Sequence, residues 1–130
     1  MKRLPSVVLV LLALAVVLPG LLEVLAPNVF AAPLASLPAG VDALNEMRAV
    51  GGTRIGIACV LAYGAWSSTW RRPALVLGVV VFGWTLVGRV LSTVADGVPG
   101  PMLKPEIAEA VLVALSLAAL RSLPLSKPLT

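Results

Sequence analysis

Three arginines in this chain stand where arginines are costly. Arg48, Arg54 and Arg89 fall inside long apolar stretches, and six carboxylates, Glu23, Asp42, Glu46, Asp96, Glu106 and Glu109, lie at or near the ends of those stretches. A guanidinium is a planar fork of donors that matches a carboxylate or phosphate at two points. Such a set can do one of three things in a low-dielectric setting: lock helices together as ion pairs, grip an anionic group, or hold and move protons. Other chemistry is poorly supplied. There is no histidine, which removes the commonest general base and the commonest metal ligand. A zinc or haem site is therefore not expected, nor any other cofactor. The single cysteine, Cys59, excludes an intrachain disulfide. The glycine-containing "GVPG" and "VGGTRIG" follow no strand, so neither supports a phosphate-cradling loop.

The elements that must position these groups follow from hydropathy. The chain of 130 residues is 59% hydrophobic and 12% charged, with a mean hydropathy of +1.03; a soluble domain is typically about half apolar and a quarter charged. Four apolar segments cover roughly residues 4–26, 44–67, 73–94 and 105–123. Each is long enough to cross a hydrocarbon core about 30 Å thick, and backbone in lipid must pair its own polar groups, so each should be a helix. The expected fold is all-α: one integral-membrane domain, a four-helix bundle. The first segment, preceded by Lys2 and Arg3 and followed by "VFAAP", also has the outline of a cleavable signal peptide, but the length of its apolar run favours a retained helix. Within it, Pro19 and Gly20 are read either as a tolerated kink or as a bend that opens a cavity. The tight link "STWRRPAL" and the link "DGVPGPMLKPE" place Pro73 and Pro105 at helix starts. The proline-rich connection "PNVFAAPLASLPAGVDAL", residues 27–44, suits a short re-entrant or amphipathic interfacial piece.

Orientation follows from the basic residues. If four helices alternate, Lys2, Arg3, Arg71, Arg72, Arg121 and Lys127 share one side and only Lys104 lies in a loop on the other. The positive-inside rule then puts both termini in the cytoplasm, with Trp66 and Trp70 as interfacial anchors. The net charge of +4 forms no patch or stripe, so nucleic acid is not an expected partner. The lipid bilayer is.

All six carboxylates then fall toward the outer ends of the helices. Arg54, ten residues past Leu44, lies about 15 Å along the second helix at 1.5 Å per residue, near the midplane, where an arginine normally faces the bundle interior with a partner. Arg48 is shallow enough to snorkel. Asn45, Gly52, Gly56, Cys59 and Tyr63 form a stripe on the face opposite Arg54, and Gly52 and Gly56, with Gly88 on the third helix, are expected to admit a close neighbour. Arg89, Ser92 and Asp96 share a face of the third helix; Glu106, Glu109 and Ser116 share one of the fourth. The expected polar cluster is Asn45, Glu46, Arg48, Arg54, Arg89, Asp96, Glu106 and Glu109.

"NEMRAVGGTRIG", then "VGRVLSTVADGVPGP", then a helix bearing Glu106 and Glu109, resembles an uncharacterised bacterial family of small four-helix membrane proteins, a domain of unknown function. Its Asn-Glu-x-Arg, Gly-Arg and Asp-Gly pattern falls here on Asn45, Glu46, Arg48, Gly88, Arg89, Asp96 and Gly97. The hydropathy profile is also similar, more loosely, to the DoxX-like group. The resemblance implies a fold and a bacterial inner-membrane location, and no activity. The residues themselves leave three expectations: a binding module for a small anionic or amphipathic ligand such as a lipid headgroup; a structural or accessory subunit, docking a membrane protein or a second copy of itself; or a histidine-free membrane enzyme or proton-coupled carrier.

Overall fold

The computed structural model describes residues 3–31, 41–96 and 103–124, with side chains described over 3–29, 44–95 and 106–124. The elements are α1 (Leu4–Leu25), α2 (Pro27–Ala31), α3 (Val41–Trp66), α4 (Arg71–Asp96) and α5 (Leu103–Ser122). Among the described residues there is no strand. Three helical stretches are long and apolar enough to cross a membrane: Leu4–Leu25, Leu44–Trp66 and Arg71–Ala95. The loop residues 32–40 and 97–102, including Gly97, and the side chains of Asp42, Asp96 and Lys104, lie outside the described set.

The helix ends extend past the hydropathy boundaries for a local reason. Arg71 and Arg72 precede Pro73 inside the first turn of α4, and the amide of Ala74 donates to the carbonyl of Trp70 at 2.9 Å. First-turn amides have no helical acceptor, so a proline costs nothing anywhere in that turn. Pro105, third in α5, sits under the same rule. α1 continues through Pro19 to Leu25, although proline removes the donor that the carbonyl of Ala15 would otherwise receive.

α1 is the axis of the molecule, in contact with α3, α4 and α5, and α4 pairs chiefly with α5. The core is a layer of Leu9, Leu12, Leu61, Leu75 and Ala119, all fully buried. The hydroxyl of Ser116, also fully buried, donates to the carbonyl of Leu112 at 2.7 Å, so burial leaves its donor satisfied. The outward faces remain apolar: Val80, Trp84, Leu91 and Val94 on α4 are all exposed. This suits a bilayer, which solvates apolar surface as readily as a protein core does.

Because lipid supplies no hydrophobic drive for helix association, packing depends on how closely backbones approach. Four glycines make that approach. A Cβ on Gly20 would stand 3.0 Å from the carbonyl oxygen of Gly51, and one on Gly51 would stand 2.7 Å from that of Gly20. Gly64 meets Ala74, and Gly78 meets Leu12. The sequence pointed to other glycines. A Cβ on Gly52, Gly56 or Gly88 would have nothing within 4 Å, and the stripe of Asn45, Gly52, Gly56, Cys59 and Tyr63 is exposed. Among the described residues, then, Gly52, Gly56 and Gly88 are not the packing glycines. Gly51 is one residue away from Gly52, and 100° of helical rotation separates the face that meets α1 from the face that looks outward.

Gly51→Ala should destabilise the protein by about 1–3 kcal/mol, as overpacking does. Gly56→Ala should be neutral or stabilising by up to about 1 kcal/mol, since alanine is the better helix former. Denaturant unfolding in detergent, followed by far-ultraviolet circular dichroism, distinguishes the two.

Candidate functional site

Glu23 and Arg54 meet across the α1–α3 contact. Gly20 and Glu23 are three residues apart on α1; Gly51 and Arg54 are three apart on α3. The helices run antiparallel, so each glycine lies opposite the other helix's charged residue: the Gly20 position faces the Cβ of Arg54 at 3.0 Å, and the Gly51 position faces the Cβ of Glu23 at 2.8 Å. The absent side chains make room for the stems of Glu23 and Arg54. The guanidinium Nη1 of Arg54 then donates to Oε1 of Glu23 in a charged hydrogen bond. The Glu23 side chain is only 5% exposed, whereas that of Arg54 is 38% exposed. The second carboxylate oxygen of Glu23 is buried with no partner among the described residues. One turn toward the helix end, Nε of Arg48 reaches the carbonyl of Val24 at 3.4 Å.

A second pair joins α4 to α5. Nε of Arg89 donates to both carboxylate oxygens of Glu109, at 3.0 and 2.9 Å. The asymmetry is the same: Glu109 is 13% exposed and Arg89 33%. One turn further along, the Thr93 hydroxyl donates to Oε1 of Glu106 at 3.3 Å. Thr85, Arg89 and Thr93 recur every four residues and so share a face of α4; Glu106 and Glu109 share the facing side of α5.

Between the two pairs lies a cavity of about 240 Å³, lined by Arg54 on α3, Arg89 and Thr85 on α4, Glu109 on α5, and Pro19 and Ala15 on α1. Val16, Ile57, Val81 and Phe82 complete its apolar wall. Both arginines therefore line one space, and the carboxylates that hold them are less exposed than they are. Pro19 lines that space together with Ala15, whose carbonyl it deprives of a helical donor.

The structure thus gathers three of the residues singled out from the sequence, Arg54, Arg89 and Glu109, at one cavity, with Glu106 a turn away. Among the described side chains, it does not bring Asn45, Glu46 or Arg48 to it. Asn45 and Glu46 are exposed and do not line the cavity, and Arg48 turns to α1. Asp96 closes α4 with its side chain outside the described set. The residue absent from the expected cluster is Glu23, the partner of Arg54. The repeated glycine-x-x-charge spacing on α1 and α3 is the sequence signal that points to it.

If the Glu23–Arg54 pair is held as described, Arg54→Met strands a buried carboxylate and should cost about 3 kcal/mol, the scale on which broken buried pairs fall. Adding Glu23→Gln to Arg54→Met should recover part of that loss, with a coupling of at least about 1 kcal/mol. Unfolding free energies of the two single variants and the double variant measure it; additive losses would contradict the pairing.

Neither a curated protein nor a solved structure matches the chain. A family model does match, over residues 5–120. The chain belongs to the family that this model defines, DUF4345, a domain of unknown function.

Proposed function

We propose that this protein binds a small amphipathic molecule inside the membrane, in the cavity between the two arginine–carboxylate pairs. The observation that carries the reading is that Arg54 and Arg89, from different helices, open onto the same space of about 240 Å³. A merely structural ion pair has no need to face a cavity. At about 30 Å³ per molecule of liquid water, this space equals roughly eight waters, enough for a headgroup or a short acid and too small for a whole lipid. The charges of Arg54 and Arg89 are balanced by Glu23 and Glu109. A guest is therefore held by hydrogen bonds from the guanidiniums rather than by excess positive charge, which disfavours a multiply charged head. The apolar wall of Val81, Phe82 and Ile57 takes the guest's hydrocarbon part.

The setting proposed for this site is the inner membrane of a bacterium, with α5 as a fourth span and both termini in the cytoplasm. The cations Arg3, Arg71, Arg72 and Arg121 mark one end of the bundle, and the positive-inside rule makes that end cytoplasmic. The cavity then lies in the outer half.

A second reading has its own support. The reciprocal fit of Gly20 to Arg54 and of Gly51 to Glu23 is what a helix lock requires, and in that reading the ion pairs act only to fix the bundle. Val81→Phe separates the two, because it fills the cavity and removes no member of either pair. The binding reading predicts that native mass spectrometry of the protein extracted in mild detergent shows a bound adduct of fixed mass, lost in Val81→Phe while the unfolding midpoint stays the same. A wild-type protein that carries no adduct after extraction from its own membrane would leave only the lock.

A further inference from the structure

A different surface of the molecule carries a second site. Along the seam of α1 and α3, two adjoining hollows of about 300 and 350 Å³ share Val10 and Trp66 and so form one groove. It runs from Ser6 to Val17 on α1, about 17 Å at 1.5 Å per residue, which matches one leaflet of a hydrocarbon core about 30 Å thick. Its walls are almost wholly apolar, with Ala58, Cys59 and Ala62 keeping the α3 side shallow.

The two ends of the groove differ. At the Val17 end it stops short of the Glu23–Arg54 pair. At the Ser6 end it opens beside cations. Arg71 donates from Nη2 to the carbonyl of Ala65, a wall residue of the groove, at 3.2 Å. Arg3 stands at the N-cap of α1, its carbonyl accepting the amide of Val7, another wall residue, at 3.1 Å. No carboxylate lies at this end among the described residues: Glu23, Glu46, Glu106 and Glu109 all belong to the other half. Trp66, 81% exposed, forms the rim, and an exposed tryptophan at a helix end is a mark of the headgroup level.

We propose that this groove is a binding site for an anionic phospholipid, with one acyl chain lying between α1 and α3 and the phosphate at Arg71 and Arg3. The chemistry is complementary throughout: an apolar channel one leaflet long, a tryptophan at the interface, and uncompensated positive charge where the phosphate sits. The site is independent of the cavity between the ion pairs, since no residue lines both.

Trp66 reports on the groove directly. In a Trp70→Phe/Trp84→Phe background it is the sole tryptophan, and a brominated acyl chain beside it quenches its fluorescence. In vesicles of phosphatidylcholine titrated with dibrominated phosphatidylglycerol, quenching should reach half-maximum at a mole fraction at least about fivefold lower than with dibrominated phosphatidylcholine, the effect of about one arginine near a membrane surface. Arg71→Gln should remove that preference, and Arg121→Gln, at the same end on α5, should retain it. Ala62→Phe, which narrows the groove and leaves both arginines in place, should also remove it. Equal quenching by the two lipids, a preference that survives Arg71→Gln or Ala62→Phe, or no quenching by either because a second protein chain covers the groove, would each overturn the proposal.

Discussion

The close approach of α1 and α3 at Gly20 and Gly51 is the constraint on which the rest of the structure depends. Each glycine's carbonyl oxygen stands 2.7–3.0 Å from where a Cβ on the other would be. That contact brings Glu23 and Arg54 together, and it buries a carboxylate that would be costly to leave without its cation. It also fixes the axial register of the antiparallel pair, and the register carries through the length of α1. A Cβ on Gly64 would run into Ala74 and stand 3.5 Å from Leu9, and one on Gly78 would meet Leu12, so the same α1 surface seats α3 at both ends and α4 near its start.

Function and packing meet in the asymmetry of the two ion pairs. A carboxylate has only acceptor oxygens and can be enclosed by a single guanidinium and nearby backbone; a guanidinium has five donors in a plane and is hard to enclose fully. In both pairs the acid is withdrawn and the arginine is part-exposed. Arg54 and Arg89, from different helices, both line one cavity. Pro19 and Ala15 line it from α1. A cluster that began as charge scattered over four segments becomes a single lined space with a polar roof and an apolar floor.

The apolar helices were legible in the sequence, because hydropathy needs no knowledge of neighbours. Spacing placed Arg89 and Glu109 each on one face of its own helix, and the ion pair shows that those two faces meet. What could not be read was which side of α3 faces α1. In a soluble helix the polar face marks the outside, but in a lipid-facing helix both faces are apolar, and Gly51 and Gly52 look alike until a partner backbone chooses between them. The same loss hid Glu23. Two residues from the end of α1 it reads as an interfacial acid, and only the register set by Gly20 and Gly51 makes it the partner of Arg54. The cavity depends on that register too, which is why Asn45 and Glu46, expected at the site, stand outside it.

An experimental structure of the protein purified with its native lipids, at a resolution that shows side chains and ordered non-protein atoms, tests the central claim most directly. The two pairs and the space between them predict density for a small molecule whose polar end lies within hydrogen-bond reach of both Arg54 and Arg89 and whose apolar end lies against Phe82. Arg54 and Arg89 packed tightly by protein side chains, with no space between α1, α3, α4 and α5 at that level, would contradict it.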